Sequence, residues 1–169
     1  MIEERAKKIK LLILDVDGVL TDGRIIYDNF GDEIKCFNVH DGFGMTLLSR
    51  AGIKSVIITA KKTRIVERRA RDMRVARVYS DYKKLKVYEK VIRKFRVKDE
   101  EVCFMGDDLI DLPVIKRAGL SVAPPEAIED VKKSCHYITK NSGGKGAVRE
   151  LIEIILKSQN LWDKVTSQY

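Results

Sequence analysis

Cysteine is scarce in this chain: Cys36, Cys103 and Cys135 stand far apart, and no Cys-x-x-Cys pair occurs. Such spacing excludes a zinc site built on paired thiols and a disulfide framework, and it fits plain thiols in a reducing compartment. Long apolar runs are absent too, for nothing approaches the roughly 18 uncharged residues that a membrane span needs. The first ten residues, Met1 to Lys10, are charged throughout and lack the apolar core of a signal peptide. The chain is therefore expected to work in the cytoplasm. Histidine is limited to His40 and His136, too far apart for metal-ligand spacing. His136 reads as structural, whereas His40 lies beside Asp41 and could face a site. Aromatic residues are not interleaved with the basic run Lys61–Arg77, so stacking on single-stranded nucleic acid has little support.

What the chain does carry is charge and short apolar runs. Its 169 residues suit one domain with a real core. The net charge of +8 and pI near 9.4 suit an anionic partner, and abundant Lys, Arg and Glu resemble thermophile usage. Apolar, β-branched runs at Ile9–Leu14, Ile53–Thr59, Val102–Met105 and Leu120–Ala123 read as buried strands. Arg77–Tyr79 and His136–Ile138 can extend the same sheet. Amphipathic stretches at Gly44–Ala51, Thr63–Met73, Leu85–Phe95, Leu109–Ala118 and Ala147–Leu156 read as helices between the strands. This alternation predicts an α/β domain over 1–169, three-layered, with helices on both faces of a mostly parallel sheet. One segment breaks it. Gly23–Val39 reads as two extended runs, Arg24–Tyr27 and Ile34–Val39, around the turn-forming Asp28–Gly31, a β-hairpin signal directly after the first strand. The tail, 158–169, looks irregular, either mobile or docked on a neighbour.

Polar residues stand where the strands end. Leu11–Leu14 runs into Asp15 and Asp17, Val56–Ile58 into Thr59, and Val102–Met105 into Gly106-Asp107-Asp108-Leu109-Ile110-Asp111. In an open parallel sheet the carboxyl ends of strands share one edge, where ligands bind. Carboxylates crowded there repel one another unless a cation joins them. Magnesium suits the task, since it takes hard oxygen ligands and keeps waters that a phosphate can displace. A single Asp-x-Asp would read as turn or capping residues. The second acidic cluster, with Thr59 and a later lysine, moves the balance to a site. Other motifs fail: Val19 occupies a ligand position of a calcium loop begun at Asp15, and Gly146 stands where a P-loop around Gly143–Lys145 requires Ser or Thr. Gly42-Phe43-Gly44 lacks the third glycine of a dinucleotide fingerprint.

Together these motifs resemble the haloacid dehalogenase-like phosphatases, over nearly the whole chain. Within that superfamily, Asp17–Gly23, Phe37–Gly42, Gly106–Pro113 and Gly143–Glu150 look like the KDO-8-phosphate phosphatase family, which acts on 3-deoxy-D-manno-octulosonate 8-phosphate in lipopolysaccharide precursor synthesis. The resemblance implies a Rossmann-like fold with a hairpin flap after strand 1 and no cap domain. It also implies a homotetramer in which hairpin and tail approach a neighbour's site. It makes Asp15 the nucleophile, forming an aspartyl-phosphate, and Asp17 the acid and base. It gives magnesium the Asp15 carboxylate, the Asp17 carbonyl and Asp107, with Asp108 and Asp111 orienting them. Thr59 and a lysine would hold the transferring phosphoryl group. Lys84 fits that pattern better than the adjacent Lys83, and a lysine at a helix start is disfavoured by the dipole unless it has other work. Asn38, Val39, His40, Asp41, Gly42, Lys61 and Arg69, with Asp17 and Lys84, would contact the substrate.

Two departures bear on that substrate. Thr59-Ala60-Lys61 replaces the family's usual Thr-Gly-Arg, and His40 stands where arginine is common; lysine keeps charge but loses the bidentate fork. A phosphatase for another sugar-acid phosphate, such as a nine-carbon sialic-acid-type 9-phosphate, is therefore the alternative. A phospho-accepting receiver-like module is a distant one, because receivers place their phospho-acceptor on a later strand. A nucleic-acid phosphatase would need strongly salt-dependent binding; the expectation is a small-molecule substrate, without nucleic acid or membrane.

Overall fold

The computed structural model describes residues 1–61 and 63–169. Among these, six strands form one sheet in the order β5-β4-β1-β6-β7-β8, every adjacent pair parallel. They are β1 Leu11–Leu14, β4 Lys54–Thr59, β5 Arg77–Ser80, β6 Val102–Met105, β7 Leu120–Ala123 and β8 Tyr137–Ile138. The side-chain period of two divides β1 cleanly. Leu12 and Leu14 join one apolar cluster with α2 Val39–Arg50, α3 Arg64–Asp72 and α7 Ala147–Ser158. Leu11 and Ile13 join the other, with α4 Lys84–Phe95, α5 Leu112–Ile115 and α6 Glu129–Ser134. This is the three-layer α/β arrangement expected from the alternation, and no cap domain occurs among the described residues. The short α1 Ile2–Ala6 was not foreseen.

The chain leaves β1 first toward β4 on one side and later reaches β6 on the other. The order therefore reverses at β1, and the carboxyl end of that strand opens onto the crevice where such sheets bind ligands. Asp15 is the first residue past it.

Four expectations need correction. The hairpin is real but small, β2 Ile26–Tyr27 pairing antiparallel with β3 Glu33–Ile34, because most of its residues are exposed and gain nothing from a longer ladder. Its second run does not continue to Val39: Asn38 accepts hydrogen bonds from the backbone N–H of His40 (2.7 Å) and Asp41 (3.3 Å), which starts α2 five residues before the predicted Gly44. The predicted helix Leu109–Ala118 is a 3-10 turn, Leu109–Asp111, followed by the single turn of α5. The tail is not irregular either. It forms α8 Trp162–Thr166, and its Tyr169 ring meets Phe43 of α2 edge-on at 5.4 Å.

Candidate active site

The carboxylate rim is built on the ends of β1 and β6. Asp15 is buried; its Oδ1 accepts from the Val16 N–H at 2.7 Å and its Oδ2 lies 2.8 Å from Lys84 Nζ. Lys84, at the start of α4, has a fully buried side chain and donates at 2.7 Å to Asp111 Oδ1. Asp111 Oδ2 in turn accepts from the N–H groups of Asp107 (3.0 Å) and Asp108 (3.3 Å), which fixes the loop after β6. Lys83 is exposed, so Lys84 is the lysine that reaches the rim. Asp108 faces solvent and caps the 3-10 turn through Leu109 N–H.

One ammonium among these carboxylates does not neutralise them. Carboxylate oxygens of Asp15, Asp107 and Asp111 lie within 4.8 Å of one another. Burial, with Asp111 nearby, raises Asp15 to about 6 despite Lys84. Burial, then Asp15 and Asp111, raises Asp107 to about 7. Burial alone would lower Lys84, yet the two facing carboxylates outweigh it and hold its pKa above the ordinary value. A hard divalent cation relieves this repulsion, and the all-oxygen donor set fits magnesium. Gly18 shapes the same corner. It sits at φ +83°, and a Cβ there would stand 2.0 Å from Asp107 Oδ2, so only glycine lets the loop pass.

Asp17, two residues past Asp15, is half exposed, and its Oδ1 is held by Lys35 Nζ at 2.5 Å. Sequence reasoning missed Lys35. Its residue sits just past β3, inside the exposed hairpin, and only the shared facing of residues 33 and 35 along an extended run could have suggested it. The same ammonium lies 2.7 Å from Glu33 Oε1, and Glu33 Oε2 lies 2.9 Å from Lys61. These two lysines hold the Glu33 carboxyl below its ordinary pKa.

Thr59 is buried at the end of β4, its hydroxyl within 3.4 Å of the Lys61 N–H. The remaining expected contacts are scattered. Val39 is 74% exposed, His40 is exposed, and Arg69 donates to the Asn38 carbonyl at 2.8 Å across Gly42. Asp41 is turned inward, accepting from the N–H of Arg149 (2.8 Å) and Gly146 (3.3 Å) at the start of α7; burial raises its pKa against those bonds. The segment around Gly143 serves packing. Gly144 N–H donates to the Val19 carbonyl at 3.0 Å, and a Cβ on Gly143 would meet the Gly18 carbonyl at 1.9 Å. A cleft of about 290 Å³ beside Asp107 is lined by Gly23, Glu126 and Lys145.

Known proteins share this architecture. A 3-deoxy-D-manno-octulosonate 8-phosphate phosphatase of Yersinia pestis is 40% identical over 96% of this chain and 88% of its own length. The chain belongs to the KDO-8-phosphate phosphatase family. A haloacid dehalogenase-like hydrolase profile matches residues 78–152, consistent with that membership. The family member from Moraxella catarrhalis, solved with magnesium, phosphate and KDO, superposes with a TM-score of 0.96 at 38% identity, covering 99% of this chain and 97% of that one. A probable YrbI family phosphatase of Pseudomonas syringae gives a TM-score of 0.97 at 43% identity, covering 99% and 96%. The family's fold thus coincides with that described above.

Proposed function

We infer that this chain is a magnesium-dependent phosphomonoesterase that releases phosphate from KDO 8-phosphate, a step in lipopolysaccharide precursor synthesis. The observation that carries this reading is Asp15, at the sheet's switch point, clamped by a buried Lys84 and facing Asp107. We assign the metal to the Asp15 carboxylate, the Asp17 carbonyl and Asp107, with Asp108 and Asp111 ordering that loop; when bound, magnesium neutralises charge on the transferring phosphoryl group.

The reaction proceeds in two displacements. A carboxylate oxygen of Asp15 attacks phosphorus, the bond to the sugar's O8 breaks, and Asp17 gives its proton to that oxygen. Water then attacks the aspartyl-phosphate, returning a proton to Asp17 while the bond to Asp15 breaks and phosphate leaves. One acid/base serves both halves because its proton comes back. Lys84 keeps Asp15 ionised and aimed, and the Thr59 hydroxyl donates to a phosphoryl oxygen. We assign the contacts to the sugar acid to Asn38–Gly42, Lys61 and Arg69, a group that carries two cations suited to a carboxylate. The hairpin's exposed Ile25, Tyr27 and Phe30 support a homotetramer in which it reaches a neighbour. No helix among the described residues is long and apolar enough to cross a membrane, which accords with work in the cytoplasm.

The alternative, a nine-carbon sugar-acid 9-phosphate, rests on the departures at Ala60-Lys61 and His40, where lysine and histidine stand in place of the family's usual arginines. Phosphate release from both esters, with and without magnesium and with Asp15→Asn as control, separates them. The expected result is magnesium-dependent preference for the octulosonate, lost in the variant. Preference for the longer ester moves the assignment to the second substrate, and activity surviving in Asp15→Asn rejects the nucleophile.

A further inference from the structure

The hairpin holds one buried cation, and its place is unusual. The ladder pairs only two residues on each strand, and Tyr27 and Phe30 around it are 61% and 93% exposed. Yet the Lys35 side chain is 1% exposed, donating to Asp17 Oδ1 at 2.5 Å and paired with Glu33 Oε1 at 2.7 Å. As a fold anchor this is a poor choice. Desolvating an ion pair commonly offsets most of its attraction, and an apolar side chain would pin the flap as well. A fixed donor on one oxygen of Asp17 has a different consequence. Among the described residues Asp17 Oδ2 has no hydrogen-bond partner, so the clasp leaves one known oxygen free and limits rotation of the carboxyl group.

We propose that Lys35 is a positioning residue for the acid/base: it clasps Asp17 Oδ1 so that Oδ2 is presented to the ester oxygen, and Glu33 holds Lys35 in place from behind. Glu33 also binds Lys61, so the run Asp17–Lys35–Glu33–Lys61 joins the proton donor to the loop after β4. The inference rests on Asp17 being the acid and base of the proposed reaction. Misplacing a catalytic group by about an ångström can cost on the order of a hundredfold. That loss should fall on esters whose leaving oxygen needs a proton, an alkyl alcohol far more than a nitrophenolate.

The test compares kcat/KM for KDO 8-phosphate and 4-nitrophenyl phosphate, because that ratio reports the steps up to release of the alcohol. Magnesium-loaded wild type, Lys35→Met, Lys35→Arg, Glu33→Gln and Asp17→Asn are measured together. Lys35→Met should lose about thirtyfold or more on the sugar ester and less than about threefold on the aryl ester, with most of the change in kcat. Lys35→Arg should recover most of the difference, and Glu33→Gln should show the same selectivity more weakly. Equal losses on both esters, or a change confined to KM, overturn the proposal in favour of a fold or binding role. Should Lys35→Met fail to fold, Glu33→Gln and Lys35→Arg carry the same comparison. Asp17→Asn tells the two readings apart. If it is selective and Lys35→Met is not, only the clasp is wrong; if it is blind to the leaving group, the acid assignment itself falls.

Discussion

The rim and the hairpin solve opposite problems with the same charges. On the rim, a lysine with no exposed side-chain surface sits between Asp15 and Asp111, and the surrounding strands are buried along their whole length. In the hairpin, the backbone is short and exposed, and Lys35 and Glu33 turn inward. The contrast teaches that bond-making is held by the sheet, whose geometry tolerates little change. The approach to it is held by a chain of ion pairs that can be retuned residue by residue.

The sharpest way to break that contrast is at Lys84. Lys84→Met leaves two carboxylates buried without their cation, which should cost about 3–5 kcal/mol of stability and lower kcat roughly a hundredfold or more. Urea unfolding and turnover measure both, and a variant as stable as wild type would mean that the rim is more plastic than the buried packing implies. Next in size is Asp41→Ala, which strands the Gly146 and Arg149 N–H groups and should destabilise by about 1–3 kcal/mol in the same assay. A loss seen only in substrate KM would instead place Asp41 at the sugar acid.

Magnesium and pH sharpen the comparison from the other side. Asp15 and Asp107 stand at about 6 and 7 in the fold against an ordinary 3.8. Carboxyls raised in this way favour the metal-free fold fully below the unfolded value, and that contribution is lost as pH climbs through 6 and 7. The cation binds their ionised forms. Saturating magnesium should therefore raise the melting temperature by several degrees at pH 8, corresponding to about 2–3 kcal/mol, and by less than about half of that at pH 5. An equal rise at both values would remove these two groups from the metal site. The smallest effect belongs to the hairpin's outer link: Lys61→Ala, which frees one oxygen of Glu33, should raise KM for the sugar ester only about twofold to fivefold, since an exposed pair contributes little.

Much of this architecture is legible in the residues, for reasons that differ by region. Leu11–Leu14 and Val102–Met105 are short apolar runs followed by carboxylates, directly or past Gly106, so strand ends and rim could be placed together. The start of α2 was misjudged because Asn38–Gly42 follows a hairpin and Val39 is β-branched. Asn38 with Asp41 in the first turn was the available capping signal. The inward role of Asp41 and the clasp of Lys35 on Asp17 were hidden for a different reason: Arg149 and Asp17 are brought to them by tertiary approach, which no neighbouring residue signals. The tail offered Leu161, Trp162, Val165 and Tyr169 as its apolar contacts, too few for a period to show.

That tail has a practical consequence. Trp162 is the chain's sole tryptophan, and its ring lies under Arg149 at 5.4 Å and beside the Lys157 ammonium at 4.9 Å. Arg149 also covers the Phe43 ring at 5.8 Å, while its N–H holds Asp41. An excited indole responds to the field of nearby cations, so its emission colour and lifetime register whether α8 is seated against α2 and α7. The molecule thus carries a built-in optical gauge of the helix that begins with Asn38, readable without any label.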